Sequence, residues 1–405
     1  MVSNESEQVT EFRQEVRAWL TDNLPKGWGT PEYVAPETSK ERHELGKWWV
    51  KKLYNAGYTA FDYPTEYGGI ERPEWQRLIL SEETKRTGTP NGPMSNIMVV
   101  APTLLTSGQE WQKKRFLPKM LSGEEAWVQG FSEPNAGSDL ANVQTTAVRD
   151  GDDWVVNGQK VWNSLWEFAD FGILVVKTDP EGRRHRNLSY FIFDCKSPGY
   201  TARPLRQMTG GSEFCEMFFD NVRIPHENLL GELNMGWYSA MATLVAERDQ
   251  GGGLANTGIP ASSGVSSLGS MDRIVELAQN TQRYGKAVWD DSTFRQRIAQ
   301  LAIESEAVKH SGARAVVRLR KGIPMGDEVN IGKHFKAEMQ QRRTDLVMEI
   351  IGAYSQLWQG SKHAVDGGAY VHAMLASRAE TIAAGTSEIN RNVIAERILG
   401  MPRLY

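Results

Sequence analysis

A glutamate ends an apolar run in LVAERDQGGGLANTG (residues 244–258): Glu247, followed by Arg248 and, after Asp249 and Gln250, by a run of glycines. Its type allows two roles, a solvated acid at a helix end or a general base held against a substrate. A carboxylate works as a base near neutral pH when a dry pocket raises its pKa. Ala240, Leu244 and Glu247 fall at helical spacing, so these positions share one face. Arg248 keeps its proton, so it can orient or screen the carboxylate, or form a salt bridge, but cannot serve as an acid.

A second group lies in WVQGFSEPNAGSDLANVQTTA (127–147) and NGQKVWNS (157–164). The first is a Pro/Gly loop between strands that can bring backbone N–H groups and the hydroxyls of Ser132 and Ser138 to a ligand. The second ends a strand with Trp162 and then Ser164. An aromatic plane beside a short hydroxyl suits a flat heteroaromatic cofactor; a β-turn with a core tryptophan is the plainer alternative. A third group is AGTSEINRNVIAERILG (384–400). Gly385 permits close approach, and Thr386 or Ser387 can cap a helix whose first N–H groups would suit a dinucleotide pyrophosphate. A plain N-cap accounts for it equally.

Three textures must position these groups. Residues 1–125 read as helices: Val9, Phe12, Val16 and Trp19 form one apolar stripe, and Leu45, Trp48, Trp49 and Leu53 mark a second helix near 41–56. Residues 126–235 change period to short Val/Ile/Phe/Tyr-rich runs, the pattern of antiparallel strands, and DGDDWVVNGQKVW reads as two strands joined at an Asn-Gly turn. Residues 236–405 return to helical spacing, with helices expected near 271–284, 292–320, 327–352, 361–380 and 386–399 and a Gly/Ser-rich mobile loop at 251–270. Helices, a compact β-domain, then helices make an α+β plan.

The 405 residues carry a net charge of -4, which argues against binding a phosphate backbone. Apolar runs are too short for a membrane span, and the acidic start lacks the apolar core of a signal peptide. Two cysteines, Cys195 and Cys215, imply no disulfide framework, and the scattered histidines form no metal-ligand pair, so no metal is expected and a cytoplasmic setting fits.

Together FRQEVRAWL, EYGG, QKKRFLPKMLSGE, SEPNAGSD, NGQKVW, GTSEINR and ERILGMPR, in this order across nearly the whole chain, resemble the acyl-CoA dehydrogenases. RPLRQMTGGSEF and FFDNVRIP are most similar to a bacterial branch that includes actinobacterial enzymes acting on bulky steroid-side-chain thioesters. The resemblance implies an N-terminal helical domain, a middle antiparallel β-barrel-like domain and a C-terminal four-helix bundle, with FAD as cofactor and an electron-transfer flavoprotein as electron acceptor. It implies that Gln129, Gly130, Phe131 and Ser132 line the flavin, with Asn163 among its surroundings, and that Ser138 lies near pantetheine and flavin. Trp162 would pack on the isoalloxazine, with Ser164 near N5. Gly385, Thr386 and Glu388 would meet the dinucleotide, and Glu349 and Gly352 would reach that of a partner subunit.

Many members place the catalytic base directly before the Gly-Thr of the last motif, where this chain has Ala384. The resemblance implies the second placement known in the family, Glu247, with Arg248 beside it and the substrate. Three departures stand out: Thr281 where an arginine is common, with Arg283 shifted by two; the bulky NSLWEFADF after Trp162; and Cys215 in place of asparagine. Self-association as a dimer or tetramer and pairing with a related subunit both remain open. So do oxidase, desulfinase or monooxygenase chemistry on the same scaffold, and a role as the cofactor-completing subunit of an α2β2 enzyme.

Overall fold

The computed structural model describes residues 7–30, 32–36, 38–61, 63–90, 94–164, 166–252, 270–320 and 328–403. The first apolar stripe becomes α1 (Glu7–Asn23), which buries Phe12, Val16 and Leu20. α2 (Ser39–Asn55) starts at a capping box, in which the Thr38 hydroxyl accepts from the Glu41 N–H and the Glu41 carboxylate from the Thr38 N–H. With α3 (Glu74–Thr87) these helices close a core around Phe12, Trp49, Tyr58, Ile79 and Leu80. Beside that core the buried Glu83 carboxylate accepts from Arg13, Arg17 and Arg86 at 2.8–2.9 Å, joining α1 to α3. α4 (Met94–Ser107) and α5 (Glu110–Leu121) bring Leu104, Phe116, Leu117 and Met120 against the sheet that follows.

The sheet contains β1 (Trp127–Gly130), β2 (Thr146–Asp150), β3 (Asp153–Ser164), β4 (Phe171–Lys177), β5 (Leu188–Asp194), β6 (Tyr200–Leu205) and β7 (Phe214–Pro225), in the order β1-β4-β2-β3-β7-β6 with β5 on β4. Its pairs are antiparallel except along β4, which β1 and the edge of β2 meet in parallel. Two cores explain the continuous apolar run of β4. Ile173 and Val175 face the helices, whereas Leu174 and Val176 face a second core with Trp154, Phe191, Phe193 and Met217.

The Asn-Gly pair is not a hairpin turn. β2 and β3 turn at residues 151–152, with Asp150 opposite Asp153, and β3 runs on through Asn157-Gly158. Glycine is required there for another reason: its φ is 149°, and an added Cβ would lie 2.7 Å from the Thr145 Cα. The register shift at this point marks an irregularity with close backbone approach.

α6 (Gly236–Gly252) follows the sheet, and residues 253–269 of the expected loop lie outside the described residues. The chain folds as two compact units, one running through Glu247 and one holding the later elements. In the second, α7 (Met271–Asn280) stops short of the expected 284, because residues 281–288 turn back as a hairpin of β8 (Gln282–Arg283) and β9 (Lys286–Ala287) with Tyr284-Gly285 at its tip. α8 (Ser292–Arg320) and α9 (Glu328–Ile351) agree with the periodicity. The helix expected over 361–380 shrinks to α10 (Ala369–Ser377): Asp366, Gly367 and Gly368 are left-handed, and the backbone tightens to 3-10 geometry after Ser377. α11 (Ser387–Val393) likewise gives way to a π turn at Ile394–Ile398. The unit closes around Ile274, Phe294, Leu301, Leu346, Ile350 and Tyr370.

Candidate active site

The end of β1, the loop after it and the last third of β3 come together. Gln129 and Gly130 end β1, the Phe131 ring is buried edge-on to Tyr190 (5.7 Å between centroids), and the Ser132 carbonyl accepts from the Val161 N–H at 2.8 Å. Between Val161 and Asn163 the β3–β7 register slips by one residue. That extra residue is Trp162, with φ 65°, and such a bulge re-aims a side chain. Its indole is 58% exposed and edge-on to Phe214, so the core-tryptophan alternative does not hold. Ser164 is half-buried at the end of β3, and Ser138 is exposed on the loop.

Asn163 points the other way. It is buried, its amide nitrogen donates to the Gln129 carbonyl, and its Oδ1 has no partner among the described residues. Trp166 packs against the sheet's second core, and Phe168 stacks on His43 at 4.3 Å, so the bulky stretch after Trp162 is anchored in this unit. Cys215, opposite Asn163, is wholly buried. Cys195 and Cys215 are both free thiols, and burial raises the pKa of each, with that of Cys215 pushed up to about 12.

Sequence reading passed over an ion pair beneath this loop. Lys160, with no exposed surface, donates to the Phe131 carbonyl (3.0 Å) and to Glu133 Oε1 (2.9 Å). Glu133 also accepts from the backbone N–H groups of Gln144 and Thr145. Burial pushes the Lys160 ammonium down to about 8 despite the attraction of Glu133. Burial alone would raise the Glu133 carboxyl, but Lys160 and the N–H donors hold it below its ordinary value. The hydrogen bonds that converge on the Glu133 carboxylate favour its charged form and thereby the ion pair. The available signal was parity: Lys160 falls in step with the inward Trp154 and Val156.

Glu247 and Arg248 stand on the last turns of α6, and their side chains lie outside the described residues. One turn earlier, the buried Thr243 hydroxyl meets those of Thr103 (2.6 Å) and Tyr190 (3.1 Å).

In the second unit Thr386 caps α11, its hydroxyl accepting from the Ile389 N–H at 3.1 Å. Gly385 before it is left-handed (φ 89°), as is Ala384 (φ 51°). The Gly385 carbonyl accepts from the buried Lys333 ammonium (2.7 Å) and the Asn390 amide (2.8 Å), and neither donor was foreseen. Glu388 is exposed, and the neighbouring Ser387 hydroxyl is buried without a partner among the described residues. Thr386, Ser387 and Glu388 line an open pocket of about 470 Å³ together with Gln341, Arg342 and Asp345.

Glu349, at the end of α9, is held by Arg297 in a two-pronged pair, one contact of which is 2.8 Å. Arg297 keeps the Glu349 carboxyl below its ordinary value against some opposing burial. The Arg283 guanidinium donates to the Glu349 carbonyl at 2.6 Å and lies against left-handed Gly352. The shifted arginine is thus bound to the same short segment as Glu349 and Gly352.

Among the described residues no cluster of His, Cys, Asp and Glu could hold a metal, and no helix is long and apolar enough to cross a membrane. Family models for the acyl-CoA dehydrogenase N-terminal, middle and C-terminal domains match residues 6–124, 129–222 and 234–399. The acyl-CoA dehydrogenase IpdE1 of Mycobacterium tuberculosis is 35% identical over 406 residues, covering 98% of this chain and 99% of that protein. The ChsE4-ChsE5 complex from Mycobacterium tuberculosis superposes with a TM-score of 0.77 at 31% identity, covering 100% of both chains. A structure described as the Tcur3481-Tcur3483 steroid ACAD gives a TM-score of 0.77 at 28% identity, again over 100% of both chains. Helices, a sheet fed by β1 and its loop, and a second helical unit thus match this family from end to end, and the chain belongs to the acyl-CoA dehydrogenase family as an enzyme of that family.

Proposed function

We propose that this enzyme desaturates an acyl-CoA thioester between its α and β carbons with FAD as cofactor, and that the electrons pass to an electron-transfer flavoprotein. The observation that supports this most is the bulge at Trp162, which turns an indole outward beside the loop Phe131–Ser132. Within its own unit, the buried Ser387 hydroxyl beside the Thr386 cap has no partner among the described residues, which fits a polar ligand group such as part of a flavin dinucleotide. When bound, the flavin supplies the two-electron acceptor for the hydrogen leaving the β-carbon.

The rest falls to the chain's own residues. Gln129, Gly130, Phe131 and Ser132 line the ring, Trp162 covers it, Asn163 stands behind it with its amide on the Gln129 carbonyl, and Ser164 offers a polar atom at its edge. Gly385, Thr386 and Glu388 meet the dinucleotide, and Ser138 meets the thioester arm. Glu247 removes the α-proton as its carboxylate loses water on substrate binding, which raises its proton affinity. Arg248 orients that carboxylate and the substrate while keeping its own charge. The likeness to a protein described as a steroid ACAD supports a bulky acyl group. Two free cysteines are in keeping with a cytoplasmic setting.

A paired assembly with a related subunit is the second reading. Two of the matched structures are named as pairs, ChsE4-ChsE5 and Tcur3481-Tcur3483. Arg283, Arg297 and Glu349 also satisfy one another, which leaves less free charge to offer a neighbour's dinucleotide than an unpaired arginine would.

Anaerobic mixing of the purified yellow protein with a panel of acyl-CoAs tests the reading. Bleaching of the flavin band is expected, and Glu247→Gln should slow it at least ~100-fold, the scale of general-base loss. Bleaching at the unchanged rate in Glu247→Gln would remove Glu247 from the mechanism.

A further inference from the structure

The buried Lys160–Glu133 pair joins two sequence stretches, NGQKVW and SEPNAGSD, that the mechanism above leaves partly unused. Lys160 lies on β3 with no exposed surface, and Glu133 is 8% exposed on the loop after β1. Burying such a pair is costly unless hydrogen bonds offset the lost solvation, and here both partners make several. Glu133 takes the N–H groups of Gln144 (2.6 Å) and Thr145 (2.9 Å), and Lys160 takes Glu133 and the Phe131 carbonyl.

The contact with the Phe131 carbonyl has a geometric consequence. In a trans peptide the C=O and N–H point in opposite directions, and the described residues contain no cis peptide. Lys160 draws the Phe131 carbonyl inward at 3.0 Å, so the N–H of Ser132 in the same peptide is turned away from the ammonium. One residue on, the Val161 N–H draws in the Ser132 carbonyl at 2.8 Å. Adjacent positions of β3 thus fix two successive peptide planes of the loop, while the Phe131 ring is gripped by the core beside Tyr190.

We infer that Lys160 is a positioning residue for the cofactor: by holding the Phe131 carbonyl it sets the 131–132 peptide plane and presents the Ser132 N–H as a fixed donor to the flavin. Glu133 keeps that ammonium charged and in place. The inference rests on the reading of residues 129–132 as flavin-lining. It separates two duties of the pair, since charge balance concerns stability and the carbonyl contact concerns cofactor binding.

Lys160→Met and the charge-neutral double variant Lys160→Met/Glu133→Gln test it in the full-length protein, by FAD affinity of the reconstituted apoprotein, by the shape of the flavin band and by hydrogen exchange over 129–138. Lys160→Met is expected to speed exchange in this loop, weaken FAD binding at least tenfold and alter the flavin band. The double variant should regain thermal stability, because no unpaired charge stays buried, yet keep the weakened FAD binding. Wild-type FAD affinity in either variant overturns the inference, as does recovery of affinity and stability together in the double variant. Failure of both variants to fold also overturns it, since the pair would then be a folding element. The underlying reading fails separately if FAD slows exchange at none of residues 129–132 in the wild-type protein.

Discussion

The Thr243 hydroxyl of α6 lies 2.6 Å from the Thr103 hydroxyl of α4, both without exposed surface, and the Tyr190 hydroxyl of β5 closes the group at 3.1 Å. Three buried hydroxyls thus fix α6 in rotation against a helix and a strand, one turn before Glu247. Apolar contacts alone would set the helix in place but tolerate slip; a hydroxyl group with directional partners does not. Thr243→Val keeps the shape and deprives two buried hydroxyls of a partner. It should cost about 1–3 kcal/mol in chemical denaturation. It should also lower kcat more than it raises KM, because Glu247 would lose its setting. Loss of stability with an unchanged kcat would confine the trio to packing.

Trp162 offers a sharp separation of binding from folding. More than half of its surface is exposed, and its one aromatic neighbour among the described residues, Phe214, is met edge-on at 6.0 Å. Trp162→Leu should therefore change folding stability by less than about 1 kcal/mol, as surface substitutions do. If the indole covers the flavin, the same change should weaken FAD retention about tenfold or more, an aromatic face being worth about 1 kcal/mol beyond its area. Dialysis against buffer, followed by the flavin band, reads the difference. Equal FAD retention in mutant and wild type would contradict the assignment.

Acid sensitivity should be concentrated at Glu83. Burial tends to raise this carboxyl, but hydrogen bonds from Arg17, Arg86 and Arg13 outweigh it and hold the pKa at about 2, against an ordinary 4.5. A folded-state pKa below the unfolded one means that the unfolded chain takes up the proton first as pH falls. The stabilisation is thus complete above pH 4.5 and is lost between there and pH 2. Two of the three arginines are half-exposed, which screens the pairing, so its worth at neutral pH is about 2–3 kcal/mol. Glu83→Gln should lower neutral-pH stability by about that amount and flatten the acid limb of a stability–pH curve. An acid limb as steep in Glu83→Gln as in wild type would assign it to other carboxylates.

These residues also mark what the sequence made legible. Val9, Phe12, Val16 and Trp19 repeat at helical period, so α1 could be read directly, and the shift to short β-branched runs disclosed the sheet. Asn157-Gly158 misled because the same dipeptide serves a tight turn or a close backbone approach, and only the neighbour across the sheet, Thr145, decides between them. The helix expected over 361–380 failed for a related reason: three successive left-handed residues at 366–368 outweigh the apolar spacing beyond them. At the site, Trp162 stood out by type, but its exposure depends on a one-residue register slip against β7. The buried lysines were hidden because charge ordinarily signals a surface, and their burial depends on partners 27 to 52 residues away.

The second of those lysines supports the last prediction. Lys333 of α9 is 7% exposed and donates to the carbonyls of Glu380 (2.9 Å) and Gly385 (2.7 Å). Asn390 of α11 adds donors to Gly385 and Thr386 (2.8 and 2.9 Å). Between these anchors Ala384 is held at φ 51°, a conformation that costs a residue with a Cβ about 1–2 kcal/mol. Anchoring and strain oppose each other, so two substitutions should move stability in opposite directions. Lys333→Met leaves two carbonyls short of a donor and should destabilise by about 2–4 kcal/mol. Ala384→Gly removes the Cβ penalty and should stabilise by up to about 1 kcal/mol, less the added freedom of the unfolded chain. Thermal and chemical denaturation of both variants would check the pair. A destabilised Ala384→Gly would mean that the turn is not strained in solution, and a neutral Lys333→Met that Asn390 alone suffices to hold it.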